Sequence, residues 1–207
     1  ECFLGMKRYK EAMKEYDDTA KLFFEELGIS PSERLMEQFD QMSSQLKHVK
    51  PKEIQDIKQR LKEEKGQGGA YYCSLPSFRD SYRLVTRMLE RSGQSAYLML
   101  CSLTDGKGHP LEKPEKLELL SEELQNTIQH CLRKGDSFTK YSPSQYLVLL
   151  IGTNKENCGL IFDRIRKYFA REHRSWNKYV EFYVSSVAEV DNLDTPIQFR
   201  NDDSGWK

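Results

Sequence analysis

The chain has 207 residues, long enough to bury one large core or an ordinary domain beside a smaller piece. Lysine plus arginine and aspartate plus glutamate stand at 32 each, which leaves no global excess of positive charge to direct the chain toward nucleic acid or an anionic membrane. Five scattered cysteines (Cys2, Cys73, Cys101, Cys131 and Cys158) form no CxxC pair. They read as buried free thiols in a reducing, cytoplasmic setting, with neither a disulfide framework nor a zinc site. No signal peptide and no run of eighteen apolar residues is present, so no membrane partner is expected. Because Glu1 opens within a helical pattern, the sequence reads as a piece of a longer protein.

The first predicted element is an amphipathic helix in "KRYKEAMKEYDDTAKLFFEELG", with Tyr9, Ala12, Met13, Tyr16, Ala20, Phe23, Phe24 and Leu27 at helical spacings. Gly28 suits its C-terminal cap. In "SPSERLMEQFDQM", Ser30 is the expected cap of a second helix, Pro31 fits its first turn and Glu33 completes a capping box. Two helices joined so closely make a hairpin whose apolar face needs a neighbour, which is the logic of helical repeats. The stretch "LGMKRYKEAMKEYDDTAKLFFEELGISPSERLMEQFDQM" resembles the end of the bacterial transcriptional activator domain, the tetratricopeptide-like module of the SARP-like regulators. That resemblance implies a DNA-binding domain outside this sequence, with DNA as its partner. Pro51 opens a third, narrow-striped helix in "PKEIQDIKQRLKEEK", and "GQGG" at 66–69 breaks the chain.

Beyond the break, helix and strand alternate. Phe78, Tyr82, Val85, Met88 and Leu89 mark a helix after Pro76, "SAYLMLCSL" a strand, and residues 117–132 a helix. A hairpin follows over 136–151. Thr153 and Glu156 predict a capping box for a helix through Ile161, Ile165 and Phe169, and "KYVEFYVSSVAEV" alternates like a strand. The tail after Asp191 reads as loosely ordered. The expected architecture is α+β, with helices on a mainly antiparallel sheet. Its expected divisions are 1–47 (helical activator end), 48–69 (linker helix and glycine break), 70–192 (sheet domain) and 193–207 (tail).

The hairpin "DSFTKYSPSQYLVLLIG" and the order of elements over residues 71–190 resemble the GGDEF domain of diguanylate cyclases. Laid on that pattern, Ser142 and Pro143 stand for the two glycines, Ser144 and Gln145 for the acidic pair, and Tyr146 for the phenylalanine. Pro143 brings a ring and loses an N–H where the family's backbone approaches nucleotide, and Gln145 offers a neutral amide where a carboxylate would hold a cation. Asp105 is the one carboxylate in "CSLTD", the counterpart of a second metal position. The resemblance therefore implies a degenerate signature: no catalytic residue, no metal, no cofactor and no enzyme activity.

One family feature recurs. Arg133 and Asp136 have the spacing of the RxxD motif that grips cyclic di-GMP, and an arginine with a carboxylate suits phosphate and guanine edges. The same residues also suit a helix end and a turn. The basic and aromatic stretch 164–179 reads as the solvated face of a helix. The leading reading is a catalytically silent GGDEF-like sensory or interaction module in a transcriptional regulator, working through ligand binding or self-association. The alternatives are a cyclic di-GMP sensor through Arg133 and Asp136, and an active nucleotide cyclase with unorthodox metal ligands.

Overall fold

The computed structural model describes residues 2–27, 32–44, 54–61, 68–188 and 197–199. The chain divides into two compact units, Glu1–Gln67 and Gly68–Lys207.

Among its described residues, the first unit forms the helices α1 (Cys2–Gly5), α2 (Tyr9–Leu27), α3 (Glu33–Ser44) and α4 (Ile54–Arg60). Lys7, at a φ of 56°, breaks the chain between α1 and α2, and the Arg8 guanidinium then pairs with Glu11 at 2.8 Å in the first turn of α2. The apolar stripe read in the sequence brings α2 against α3: the Tyr16 and Phe39 rings meet in a tilted contact, centroids 4.6 Å apart, and Ala12 and Met42 are buried. The observed cap of α3 is Ser32, whose hydroxyl accepts the Leu35 amide at 3.4 Å. The features expected at Gly28, Ser30, Pro31, Pro51 and Gly66 lie outside the described residues.

The second unit is a six-stranded sheet in the order β1-β3-β4-β2-β5-β6, formed by β1 (Tyr71–Tyr72), β2 (Ala96–Leu103), β3 (Ser137–Ser142), β4 (Gln145–Ile151), β5 (Val180–Ser186) and β6 (Ile197–Phe199). The β1–β3 pair is parallel and every other pair antiparallel, so the architecture is the expected α+β one. The β3–β4 hairpin sits inside the sheet. Helices α5 (Leu75–Ser92), α6 (Pro114–Cys131) and α7 (Lys155–Phe169) cover it.

Strand alternation assigns the helices to faces. Leu147 and Leu149 of β4 turn toward Phe78, Val85 and Leu89 of α5, whereas Tyr146, Val148 and Leu150 join Leu120, Leu124 and Ile128 of α6 and Ile161, Ile165 and Phe169 of α7. Both sides of β4 are therefore covered, which explains its unbroken apolar run.

Several elements of the second unit depart from the sequence reading, which also had no strand at Tyr71–Tyr72. Helix α5 starts at Leu75 with Ser74 as cap, its hydroxyl accepting the Ser77 amide, and Pro76 sits in the first turn, where its missing N–H costs nothing. Helix α6 begins at Pro114, a turn earlier than expected. Asn154, not Thr153, caps α7: its side chain accepts the Asn157 amide at 2.8 Å, and Thr153 is buried. The tail expected to be loose contributes β6, whose Ile197, Gln198 and Phe199 pair with Val184, Tyr183 and Phe182. Among the described residues, no helix is long and apolar enough to cross a membrane.

Candidate functional site

The hairpin tip is a two-residue turn, Pro143-Ser144, following a register break between Lys140 and Ser142. Behind it runs a chain of neutral polar groups. The Ser142 hydroxyl donates to Gln145 Oε1 at 3.2 Å, and Gln145 Nε2 donates to the Ser102 hydroxyl at 3.2 Å. Ser144 lies 3.5 Å from Ser142, hydroxyl to hydroxyl. Ser102 is the cross-strand partner of Gln145 on one side and of Glu181 on the other. Glu181 is nearly buried and accepts from the Tyr183 hydroxyl at 3.1 Å. This second carboxylate at the sheet end was missed in the sequence. Its signal was the alternation of "KYVEFYV", which sets Glu181 and Tyr183 on one face.

Asp105 lies beyond the strand end and is committed to its own loop. One oxygen accepts the amides of Lys107 (2.7 Å) and His109 (3.2 Å), and the other lies 3.3 Å from the His109 ring. The Lys107 amide above all holds this carboxyl below the usual range. Among the described residues, no group of three His, Cys, Asp or Glu side chains could hold a metal ion.

Tyr146 is not part of the tip. It is fully buried on the α6 side, with its hydroxyl 2.9 Å from Ser121 Oγ, 3.0 Å from the Ser121 carbonyl and 3.3 Å from Gln125 Oε1. Burial pushes its phenol up to about 12.

The chain between α6 and β3 is held by Asp136, which is 5% exposed. Its Oδ2 accepts the Arg133 amide at 3.1 Å, and its Oδ1 accepts the Ile151 amide at 3.2 Å. One side chain thus closes the turn and fastens the far end of β4. Burial raises the carboxyl above the usual range, opposed by these two amides and by the charges of Arg133 and Arg164. Since the folded state holds this proton more tightly than the unfolded chain, the ionisation of Asp136 subtracts stability as pH rises from the ordinary carboxyl value to the raised one. Asp136→Ala is expected to remove that decline from the pH profile of unfolding. It should also cost about 2 to 3 kcal/mol at neutral pH, because two amides lose their acceptor. Urea titrations at several pH values check both; an unchanged midpoint would refute the clamp.

Arg133 itself is exposed. The second charge acting on Asp136, Arg164, lines a groove of about 480 Å³ on α7 together with Leu160, Asp163, Lys167, Tyr168 and Arg171. Tyr168 carries the Arg171 guanidinium over its ring at 4.2 Å and stacks with His130 of α6 at 4.7 Å. Asp163 and Glu172, 3.5 Å from Arg171, are the nearby acids. Arg164, Lys167 and Arg171 are exposed, as the solvated helix face read in the sequence requires, and they line a shallow, open surface beside Arg133 and Asp136.

The fold resembles the GGDEF domains of diguanylate cyclases. A diguanylate cyclase protein from Thermotoga maritima shares 16% identity, covering 56% of this chain and 79% of that one, with a TM-score of 0.43. The diguanylate cyclase SiaD of Pseudomonas aeruginosa, solved in complex with its activator SiaC, shares 16% identity over 89% of this chain and 70% of its own, with a TM-score of 0.43. An active GGEEF domain of a Vibrio cholerae diguanylate cyclase shares 17% identity over 60% and 80%, with a TM-score of 0.40. No family model and no curated protein matches the chain. The expectation that the chain is not an enzyme is corrected here: its structural neighbours are diguanylate cyclases, one of them described as active, and the neutral residues of the tip do not establish inactivity.

Proposed function

We propose that residues 68–207 are a GGDEF-like regulatory module that recognises a cyclic dinucleotide, with cyclic di-GMP the first candidate, where Arg133, the loop shaped by Asp136, and the α7 groove meet. The observation that carries this reading is the groove, which Arg164, Lys167 and Arg171 line together with Leu160, Tyr168 and a single acid, Asp163. Guanidinium groups pair with phosphate in a fixed fork and stack on bases, and the aromatic ring adds a flat contact. Asp136 acts here as the post that holds the loop, and the ligand's charge is met by the arginines.

The helical unit belongs to the same proposal. The packing of Tyr16 on Phe39 supports reading residues 1–47 as the end of a tetratricopeptide-like activator module. Occupancy of the sheet unit would then be reported to a cytoplasmic transcription regulator whose DNA contacts lie outside residues 1–207.

Titration calorimetry of the 207-residue chain with cyclic di-GMP tests the site. A saturable isotherm is expected, weakened by about 1.5 to 3 kcal/mol in Arg133→Ala and again in Arg164→Ala, the range for a hydrogen bond to a charged group. No heat above dilution would overturn the reading. Turnover of GTP with magnesium that depends on Asp105 would move the functional centre to the hairpin end of the sheet.

A further inference from the structure

Two helices on opposite faces of the sheet, α5 and α6, carry exposed stripes of opposite charge. On α5, Arg79, Arg83, Arg87 and Arg91 recur every fourth residue and all are exposed. Beside them Leu84 and Met88 are 60% and 55% exposed. On α6, Glu115, Glu118 and Glu122 fall on one exposed stripe, with Leu119, 55% exposed, among them. The countercharges are fewer. Asp80 lies 3.7 Å from Arg83 and Glu90 is exposed on α5, while Lys116 of α6 is drawn over the Tyr179 ring at 3.8 Å.

We propose that these stripes are complementary docking surfaces for a second copy of this chain, the basic face of α5 in one copy seating on the acidic face of α6 in the next. Charge complementarity selects the occupant, and the apolar residues within each stripe give the contact a dry centre. A nucleic-acid backbone would use the arginines but leave Leu84 and Met88 without a role. The equal numbers of acidic and basic residues, 32 each, mean that copies do not repel through net charge.

Topology fixes the kind of assembly. Helix α5 packs on the Leu147 and Leu149 side of β4, and α6 on the Tyr146 and Val148 side. The two stripes therefore face away from each other across the sheet. The contact is heterologous, so each copy keeps one free face and the assembly grows head to tail instead of closing as a two-fold dimer.

Sedimentation velocity of the 207-residue chain over a concentration series is the test. The weight-average mass is expected to rise above the 24.3 kDa of the monomer with concentration at low ionic strength. It should return toward that value at about 0.5 M salt, where screening acts over about 4 Å. Arg83→Glu/Arg87→Glu and, separately, Glu118→Gln/Glu122→Gln should each abolish the rise while leaving the circular dichroism and melting of the chain unchanged, since all four side chains are exposed. Mixed together, the two variants should form a one-to-one pair and nothing larger, because one intact α5 meets one intact α6. A monomer at every concentration, association indifferent to either variant, or a closed dimer would overturn the proposal.

Discussion

Tyr146→Ala is expected to destabilise the sheet unit by about 4 to 5 kcal/mol, at the upper end for a large-to-small change in a core. The ring is fully buried and lies 6.4 Å from Phe138, between β4 and α6. Its removal opens a cavity that the strand on one side and the helix on the other are too constrained to fill. The hydroxyl adds a second loss. It accepts from or donates to Ser121 Oγ at 2.9 Å and donates toward the Ser121 carbonyl or Gln125 Oε1, so truncation strips α6 of a partner inside the core. Tyr146→Phe separates the two contributions: it keeps the ring and should cost only about 1 to 2 kcal/mol. The Tyr146→Phe/Ser121→Ala double variant should cost less than the sum of its parts, because neither hydroxyl is then left alone. Urea unfolding followed by near-ultraviolet circular dichroism reads these variants, Ser121→Ala alone and the wild type. Equal midpoints for Tyr146→Ala and wild type would show that the ring is not part of the core.

Tyr146 also shows where the sequence was legible and where it was not. The hairpin was readable because "SPSQ" interrupts two runs of strand-forming residues, and β4 reads as doubly covered because its apolar run has no polar alternation. That Tyr146 turns inward could not be told from its position in the pattern alone. It follows from the register Cys101↔Tyr146, which sets the residue with Cys101 on the α6 and α7 side of the sheet. The helices of the first unit were legible as stripes, and Tyr16 and Phe39 meet as those stripes require. Strands β1 and β6, two and three residues long, are too short to show a period, and each exists because a longer neighbour offers an edge. The site divides in the same way. The spacing of Arg133 and Asp136 was plain, but the clamp was hidden because Ile151, its second partner, lies fifteen residues along the chain. The groove was hidden for a related reason: helical spacing places Arg164 and Lys167 on one surface, but Arg171 lies beyond the end of α7 at Phe169, and only the packing of α6 against α7 brings His130 and Tyr168 together there.

Gly69→Ala should be more damaging than its size suggests, with a loss of at least about 4 kcal/mol, the range reserved for a named structural conflict. Gly69 has a φ of 83°, a conformation that an L residue adopts only under strain. More decisive is what a methyl group would meet there. An added Cβ would lie 1.7 Å from the Gln129 carbonyl oxygen and 2.8 Å from its carbon, and both are backbone atoms of α6 that no rotamer change can move. Gln129 stands in the last turn of α6, where carbonyls lack a partner within the helix, and the Ala70 amide supplies one at 3.1 Å. Pushing residue 69 away breaks that bond first. It then displaces the strand it leads into, whose amides at Tyr71 and Cys73 donate to the Asp136 and Phe138 carbonyls at 2.9 and 3.0 Å. Two other glycines provide controls. Gly68 has open space where its Cβ would be and a φ outside the left-handed region, so Gly68→Ala should be near neutral. Gly93 shares the strain, at a φ of 65°, but has no neighbour within 4 Å, so Gly93→Ala should cost only about 1 to 2 kcal/mol. Thermal unfolding orders the three variants, and amide exchange at Cys73 reports whether β1 has left β3. If Gly69→Ala melts with Gly68→Ala and Cys73 stays protected, the close approach of this turn to α6 is not what holds the strand.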